Sequence, residues 1–484
     1  MSIKKNYIYN TCYQVFSVLL PLITVPYISR TLGVEGVGYY AYTAAYTQYF
    51  ILVGMLGITL YGRREVAYVN NDKKKLSYIF CNIYTVQITT MTLAYITYIL
   101  AFVIFNNKSR ELYLVQSLLI LGSMFDISWF FIGIEELKHV VLRNLFVKLI
   151  GLLLVFSFVK NTNDILLYAI IMGCSVLVGQ LIMWINLKNK VYFVKPNREH
   201  IKIHIQQSIK LFISQLALQM YMVVDRTMLG IFSDNIQVGL YDSSQKVIKV
   251  VLALVTSIAV IMLPRMSALY YNNQREDFKN LLHKVFSYIN FLGIPIMIGL
   301  IAISEEFSIW FYGKQFNGIS QLLIVGSIII IAISWSNVLG VQVMIPIKKE
   351  REFTISITIG AIINFILNII LIGRLGAMGS TIATVLAEVT VTIIQLCFLR
   401  ELINFKYVLS TFYKPIICVI PMYIGVRLAI TTLPINIVGT SIAVIIGGVI
   451  YLGLSYLLKH ELMIEGVDDI KEKLIRRRKE NEKI

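Results

Sequence analysis

Asp242, Lys246 and Lys249 stand at i, i+4 and i+7 of one apolar stretch, a spacing that places three charges on a single helix face. A charged side chain inside a membrane span costs about 3 kcal/mol unless it meets water, a partner or a substrate. Two lysines held there either grip an anionic head group or snorkel to the interface and pair with Asp242. Ser243, Ser244 and Gln245 add polarity to the same turns.

Other ionisable residues fall in apolar runs. Arg226 beside Asp225 is either a local interfacial ion pair or a cavity cation. Asp126 opens the stretch Asp126-Ile127-Ser128-Trp129-Phe130-Phe131-Ile132-Gly133, and Lys148 is its candidate partner, another cavity cation or a snorkelling side chain. Glu388, near Thr384, Thr390 and Thr392, is a candidate proton or sodium site, or a hydrogen bond between packed helices. His200 and His204 have the i, i+4 spacing of a metal pair without a third ligand, which favours a solvated face and no metal. Cys12, Cys81, Cys174, Cys397 and Cys418 follow no recurring spacing and read as packing residues. There is no phosphate-binding glycine loop, nucleophile elbow or zincin motif, so neither an enzyme nor a cofactor is expected.

The elements that carry these residues must be membrane helices. With 57% hydrophobic residues and 15% charged, 484 residues cannot cover a water-facing surface. Fourteen apolar runs lie between residues 10 and 458, each near the ~20 residues that cross a ~30 Å hydrocarbon core. The net charge of +17 would suggest nucleic acid in a soluble protein. Here most Lys and Arg sit in alternate connections and at both ends, whereas the opposite loops hold only Arg30, Lys108, Arg110, Lys160, Lys314 and Arg374. That bias predicts cytoplasmic N- and C-termini and no nucleic-acid partner.

A polar turn recurs. Ser29-Arg30-Thr31-Leu32-Gly33 with Val37-Gly38-Tyr39-Tyr40 returns as Asp225-Arg226-Thr227-Met228-Leu229-Gly230 with Val238-Gly239-Leu240-Tyr241, each copy leaving one helix and entering the next. Six runs separate the copies, so the halves share an orientation and are related by a pseudo-two-fold axis along the membrane normal. The expected fold is an all-α integral membrane protein of about 14 spans: a six-helix lobe over 1–187, a cytoplasmic amphipathic linker over 188–207, a second six-helix lobe over 208–400, an extra helix pair over 401–458 and a charged cytoplasmic tail over 459–484. In the linker, Ile201, Ile205, Ile209 and Phe212 form an apolar stripe suited to the inner leaflet, although a solvated linker fits nearly as well.

The segments Tyr9-Asn10, Pro21 to Gly33, Gly36-Val37-Gly38 and Asp126 to Gly133 resemble the Wzx-type polysaccharide flippases of the multidrug/oligosaccharidyl-lipid/polysaccharide exporter superfamily, along nearly the whole chain. The resemblance implies a V-shaped pair of lobes in the bacterial cytoplasmic membrane. It also implies alternating access and export of an undecaprenyl-pyrophosphate-linked oligosaccharide for capsule or surface polysaccharide, among membrane lipids and alongside polymerase machinery. A cationic cavity in the family would correspond to Lys246 and Lys249 and, further, to Arg30, Lys148 and Arg226. In related lipid II flippases a lipid tail lies along two extra spans; Arg427 departs from a wholly apolar groove there. Rival readings are a lipid II or teichoic-acid precursor flippase, a multidrug exporter, whose cavity would favour acids over lysines, and a polytopic glycan polymerase or acyltransferase, whose outer-loop chemistry is missing.

Overall fold

In a computed structural model, which describes residues 3–105, 109–257, 259–403 and 408–465, the chain is helical throughout, with no strand among the described residues. Hydrocarbon offers backbone groups no partner, and a helix satisfies them within one segment. Eleven helical stretches among the described residues are long and apolar enough to cross a membrane. Cys12 lies where side chains are not described, and Lys108 and the tail from 466 lie outside the described residues.

By contacts the chain divides into two compact units, Met1–Ser243 with Asn368–Ala377, and Ser244–Leu367 with Met378–Ile484. In the first unit, α1 (Ile3–Met55) is two helical segments joined at a sharp kink at Gly33, whose φ of 72° and ψ of 174° lie outside the helical region. The polar turn thus leaves one segment and enters the next as expected, and a residue without Cβ adopts this backbone without steric cost. The second copy differs, since Asp225–Gly230 lies inside α8 (Arg198–Phe232) and the break to α9 (Asn235–Thr256) comes at Ser233-Asp234.

Between them run α2 (Ile58–Tyr68), α3 (Lys73–Tyr98), α4 (Arg110–Met124), α5 (Ser128–Gly133), α6 (Leu137–Phe158) and α7 (Ile165–Leu187). Asp72 caps α3 by accepting from the amides of Lys75 at 3.1 Å and Lys74 at 3.0 Å, bonds that hold its carboxyl below the usual range. The stretch Asp126–Gly133 turns out to be a packing device. Trp129 Nε1 donates to Gln87 Oε1 at 2.9 Å while Gln87 Nε2 donates to the Asp126 carbonyl at 2.8 Å, closing the end of α4 without water. The Trp129 ring lies on Gly62, where a methyl would come within 2.5 Å of it.

The expected amphipathic linker helix is not separate. Residues 188–197 are largely non-helical, and α8 then runs unbroken through residues 201–212. Ile201 and Ile205 pack on the core around Phe80 and Trp129, while Ile209 is exposed. The stripe meets protein because Gly57 lets the backbone of α8 approach closely: a methyl there would sit 2.8 Å from Phe212 N. His204, 7% exposed, has its Nδ1 2.7 Å from Tyr61 Oη, and burial keeps its ring neutral, so its partner is a phenol and not a metal pair with His200.

The second unit is organised around α10 (Ala259–Tyr271), α11 (Arg275–Phe311), α12 (Ile319–Gly326) and α13 (Ile328–Asn337). With them are α14 (Glu350–Leu375) and α15 (Ala377–Phe398), both shared with the first unit, and the extra pair α16 (Tyr413–Thr432) and α17 (Ile437–Leu457). Arg427 is turned onto α11 and not toward lipid. Its Nη1 donates to Glu306 at 3.1 Å and to the Ala302 carbonyl at 3.0 Å. Trp310 Nε1 donates to Thr440 at 2.7 Å and Tyr451 Oη to the Phe291 carbonyl at 2.7 Å, so the pair docks on α11 along its length. Replacing Arg427 by Leu strands Glu306 and should cost about 1–3 kcal/mol, less than a fully buried pair because the Arg427 side chain is 35% exposed. Thermal unfolding in detergent measures it, and Arg427→Leu with Glu306→Leu should recover much of the loss.

Candidate functional site

The two Val-Gly dipeptides that mark the repeat touch each other. A methyl on Gly38 of α1 would lie 1.7 Å from the Asn235 carbonyl oxygen, and one on Gly239 of α9 would lie 2.1 Å from the Val34 carbonyl oxygen. Only two glycines let the helices cross at backbone distance. Val37 and Val238, 6% and 0% exposed, seal the crossing. Beside it Gly230 of α8 lies against the Tyr42 ring, and Tyr49 Oη is 3.0 Å from Thr227 Oγ1.

Behind this crossing lies a buried charged network. Arg226 Nε is 2.7 Å from Asp242 Oδ1, so its ion pair bridges α8 and α9 and is not the local one with Asp225. Neighbours on a helix point apart by about 100°, whereas the facing helix presents Asp242 directly. Asp225 is held differently: Tyr241 Oη donates to one oxygen and Asn368 Nδ2 to the other, the latter at 2.7 Å. Both carboxylates are buried, at 5% exposure for Asp225 and 3% for Asp242. Tyr40 and Tyr168, ring centroids 4.9 Å apart, lie within electrostatic reach of Asp242. Neither Asn368 nor the glycine contact is legible in advance, although matched Val-Gly pairs at equivalent positions were the available signal.

The remaining candidates belong to both units. Lys246 and Lys249 are exposed on α9, in the part that belongs to the second unit. Arg30 lines an open recess of about 740 Å³ with Tyr27 and Lys160. Lys148 lines a smaller apolar cavity of about 370 Å³ with Thr24, Asn144, Tyr168 and Ser175. Asp126 accepts from the Ser128 amide at 2.8 Å and lies within electrostatic reach of Arg63, which gives it a structural task at the start of α5. Glu388 is half-buried on α15, and its carbonyl accepts from Thr392 Oγ1 at 2.9 Å.

Adding a methyl at the crossing should part the helices. In Gly38→Ala or Gly239→Ala, a cysteine introduced at Ala41, 8% exposed, should react with a maleimide several-fold faster than in the parent. Equal rates would show that the crossing tolerates a Cβ.

Comparison with known proteins sets this geometry in context. The chain is 25% identical over 414 residues, 83% of its length and 97% of the relative's, to a protein of Escherichia coli (strain K12) that carries the name O-antigen transporter. It is 22% identical over 244 residues, 50% of the chain and 51% of the relative, to a protein of Haloferax volcanii named as a low-salt glycan biosynthesis flippase. Among solved structures, the inward closed conformation of the lipid II flippase MurJ superposes with a TM-score of 0.75 at 18% identity, covering 94% of this chain and 100% of that one. That likeness shows the fold, an all-α membrane bundle. Residues 3–270 match the family described as polysaccharide biosynthesis protein, more than half of the chain, and the protein belongs to that family.

Proposed function

We propose that the protein is a flippase, not an enzyme, carrying a lipid-linked oligosaccharide across the membrane by alternating access. The observation that carries this reading is a multi-pass chain of the polysaccharide biosynthesis family with two exposed lysines, Lys246 and Lys249, on α9. A sugar head group bears many hydroxyls, each costing about 1–3 kcal/mol to bury without a partner, so unaided flipping is slow. A polar path lined by cations removes much of that penalty and favours a phosphorylated link over a cationic drug.

In this reading the cargo is an undecaprenyl-pyrophosphate-linked repeat unit leaving the inner leaflet of a bacterial cytoplasmic membrane, with both termini cytoplasmic and polymerase machinery on the receiving side. A potential of ~100 mV, negative inside, favours outward movement of an anion by roughly 2.3 kcal/mol per charge, about 4–5 kcal/mol for a diphosphate. Lys246 and Lys249 meet the diphosphate, with Arg30, Lys148 and Arg226 as further cations on its route. Asp242 holds Arg226 in place. Asp126 and Glu388 stand as ion-coupling candidates, Asp126 the less suited because it already serves α5. Release requires α1 to part from α8 and α9 at the glycine crossing.

Lys246→Ala with Lys249→Ala, at unchanged protein level, should abolish surface polymer and trap lipid-linked oligosaccharide on the inner leaflet of a strain that depends on this protein. Normal surface polymer would remove both lysines from the site, and altered drug susceptibility without loss of polymer would favour a multidrug exporter.

A further inference from the structure

The end of α11, the turn before α16 and the residues after α17 enclose a small polar cavity of about 160 Å³ in the second unit. Its lining includes His283, Ser287, Ser410, Lys414, His460 and Glu461. It lies where three helices reach the basic face read as cytoplasmic, and the transport reading makes no use of it.

His460 is the telling residue. It is 4% exposed, and its Nδ1 is buried without a hydrogen-bond partner among the described residues. The ring packs at a tilt of 36° against Phe291, 4.7 Å between centroids. A buried nitrogen left unpaired in a native fold marks a place where something else binds. Lys414 Nζ donates to the Lys459 carbonyl at 2.8 Å, which uses one of the three hydrogens of the ammonium. Burial lowers the pKa of His460, with Lys414 adding to the effect and Glu461 opposing it. An imidazole keeps at least one N–H in either protonation state, so His460 and His283 can each present one to an anion's oxygen.

We infer that this cavity binds a phosphate ester, with Lys414 supplying the charge, His460 and His283 supplying N–H donors, and the exposed Glu461 moderating affinity at the rim. The volume admits a phosphate group. Two sources share that chemistry, a lipid head group of the inner leaflet and free phosphate. The exposed Ile416, Ile417 and Ile420 on α16 and Leu457 on α17, adjoining the cavity along the chain, favour the lipid, whose acyl chains they can meet.

The chain has five histidines, so the full-length protein labelled with carbon-13 in its imidazoles gives a short NMR spectrum in detergent. Titration with dioctanoyl phosphatidic acid should move the signals of His283 and His460 saturably and leave those of His139, His200 and His204 in place. Inorganic phosphate that moves the same two only at tenfold higher concentration identifies a lipid site, and equal potency identifies a free-phosphate site. Lys414→Gln should weaken binding at least tenfold and Glu461→Gln should tighten it several-fold, with the other three signals reporting an intact fold. Failure of both probes to shift His460, or an unchanged titration in Lys414→Gln, would overturn the assignment; His460→Gln must abolish the response of His283 as well.

Discussion

A polar group buried in a membrane bundle gains most from a partner inside the protein, because hydrocarbon supplies none. That constraint explains placements that hydropathy alone leaves arbitrary. Arg226 reaches across to Asp242, Asp225 collects a phenol and an amide, Gln87 closes the end of α4, and Arg427 turns from lipid to Glu306. Each bond joins segments distant in the chain or different helices, so satisfying polar groups and assembling the bundle are one process. A buried ion pair of this kind adds little net stability, since desolvation offsets most of the attraction, yet losing one partner is costly. Such pairs fix which helix faces which.

The fold class was legible because composition and run length leave little choice: apolar stretches of this length form helices, and eleven among the described residues qualify as spans. Helix boundaries were less legible. The turn Ser29–Gly33 does separate two helical segments, at a single glycine of φ 72°, whereas its copy Asp225–Gly230 lies within an unbroken α8 and the break falls at Ser233-Asp234. The stripe on α8 was recognised as apolar but assigned to lipid, since a sequence does not reveal that Gly57 opens a place for it in the core. Charges within apolar runs stand out in the sequence, and several of them are buried and paired in the fold. Their pairings escaped prediction because the partners come from distant helices, as Asn368 does for Asp225.

The two halves of the repeat have diverged in an instructive way. The Val-Gly pairs persist in both and meet at the crossing, where geometry forbids any larger residue. Ala41, Ala45 and Gln48 correspond to Asp242, Lys246 and Lys249, so charge was acquired or kept on one side only. Steric need preserves the symmetric part of the motif, and chemistry separates the rest.

The length of α8 has a mechanical meaning. Its 35 residues make a rod of about 52 Å, held near one end by the Tyr61–His204 contact and near the other by Tyr49 with Thr227 and Tyr42 with Gly230. A stiff beam fastened at both ends cannot free one without leaning on the other.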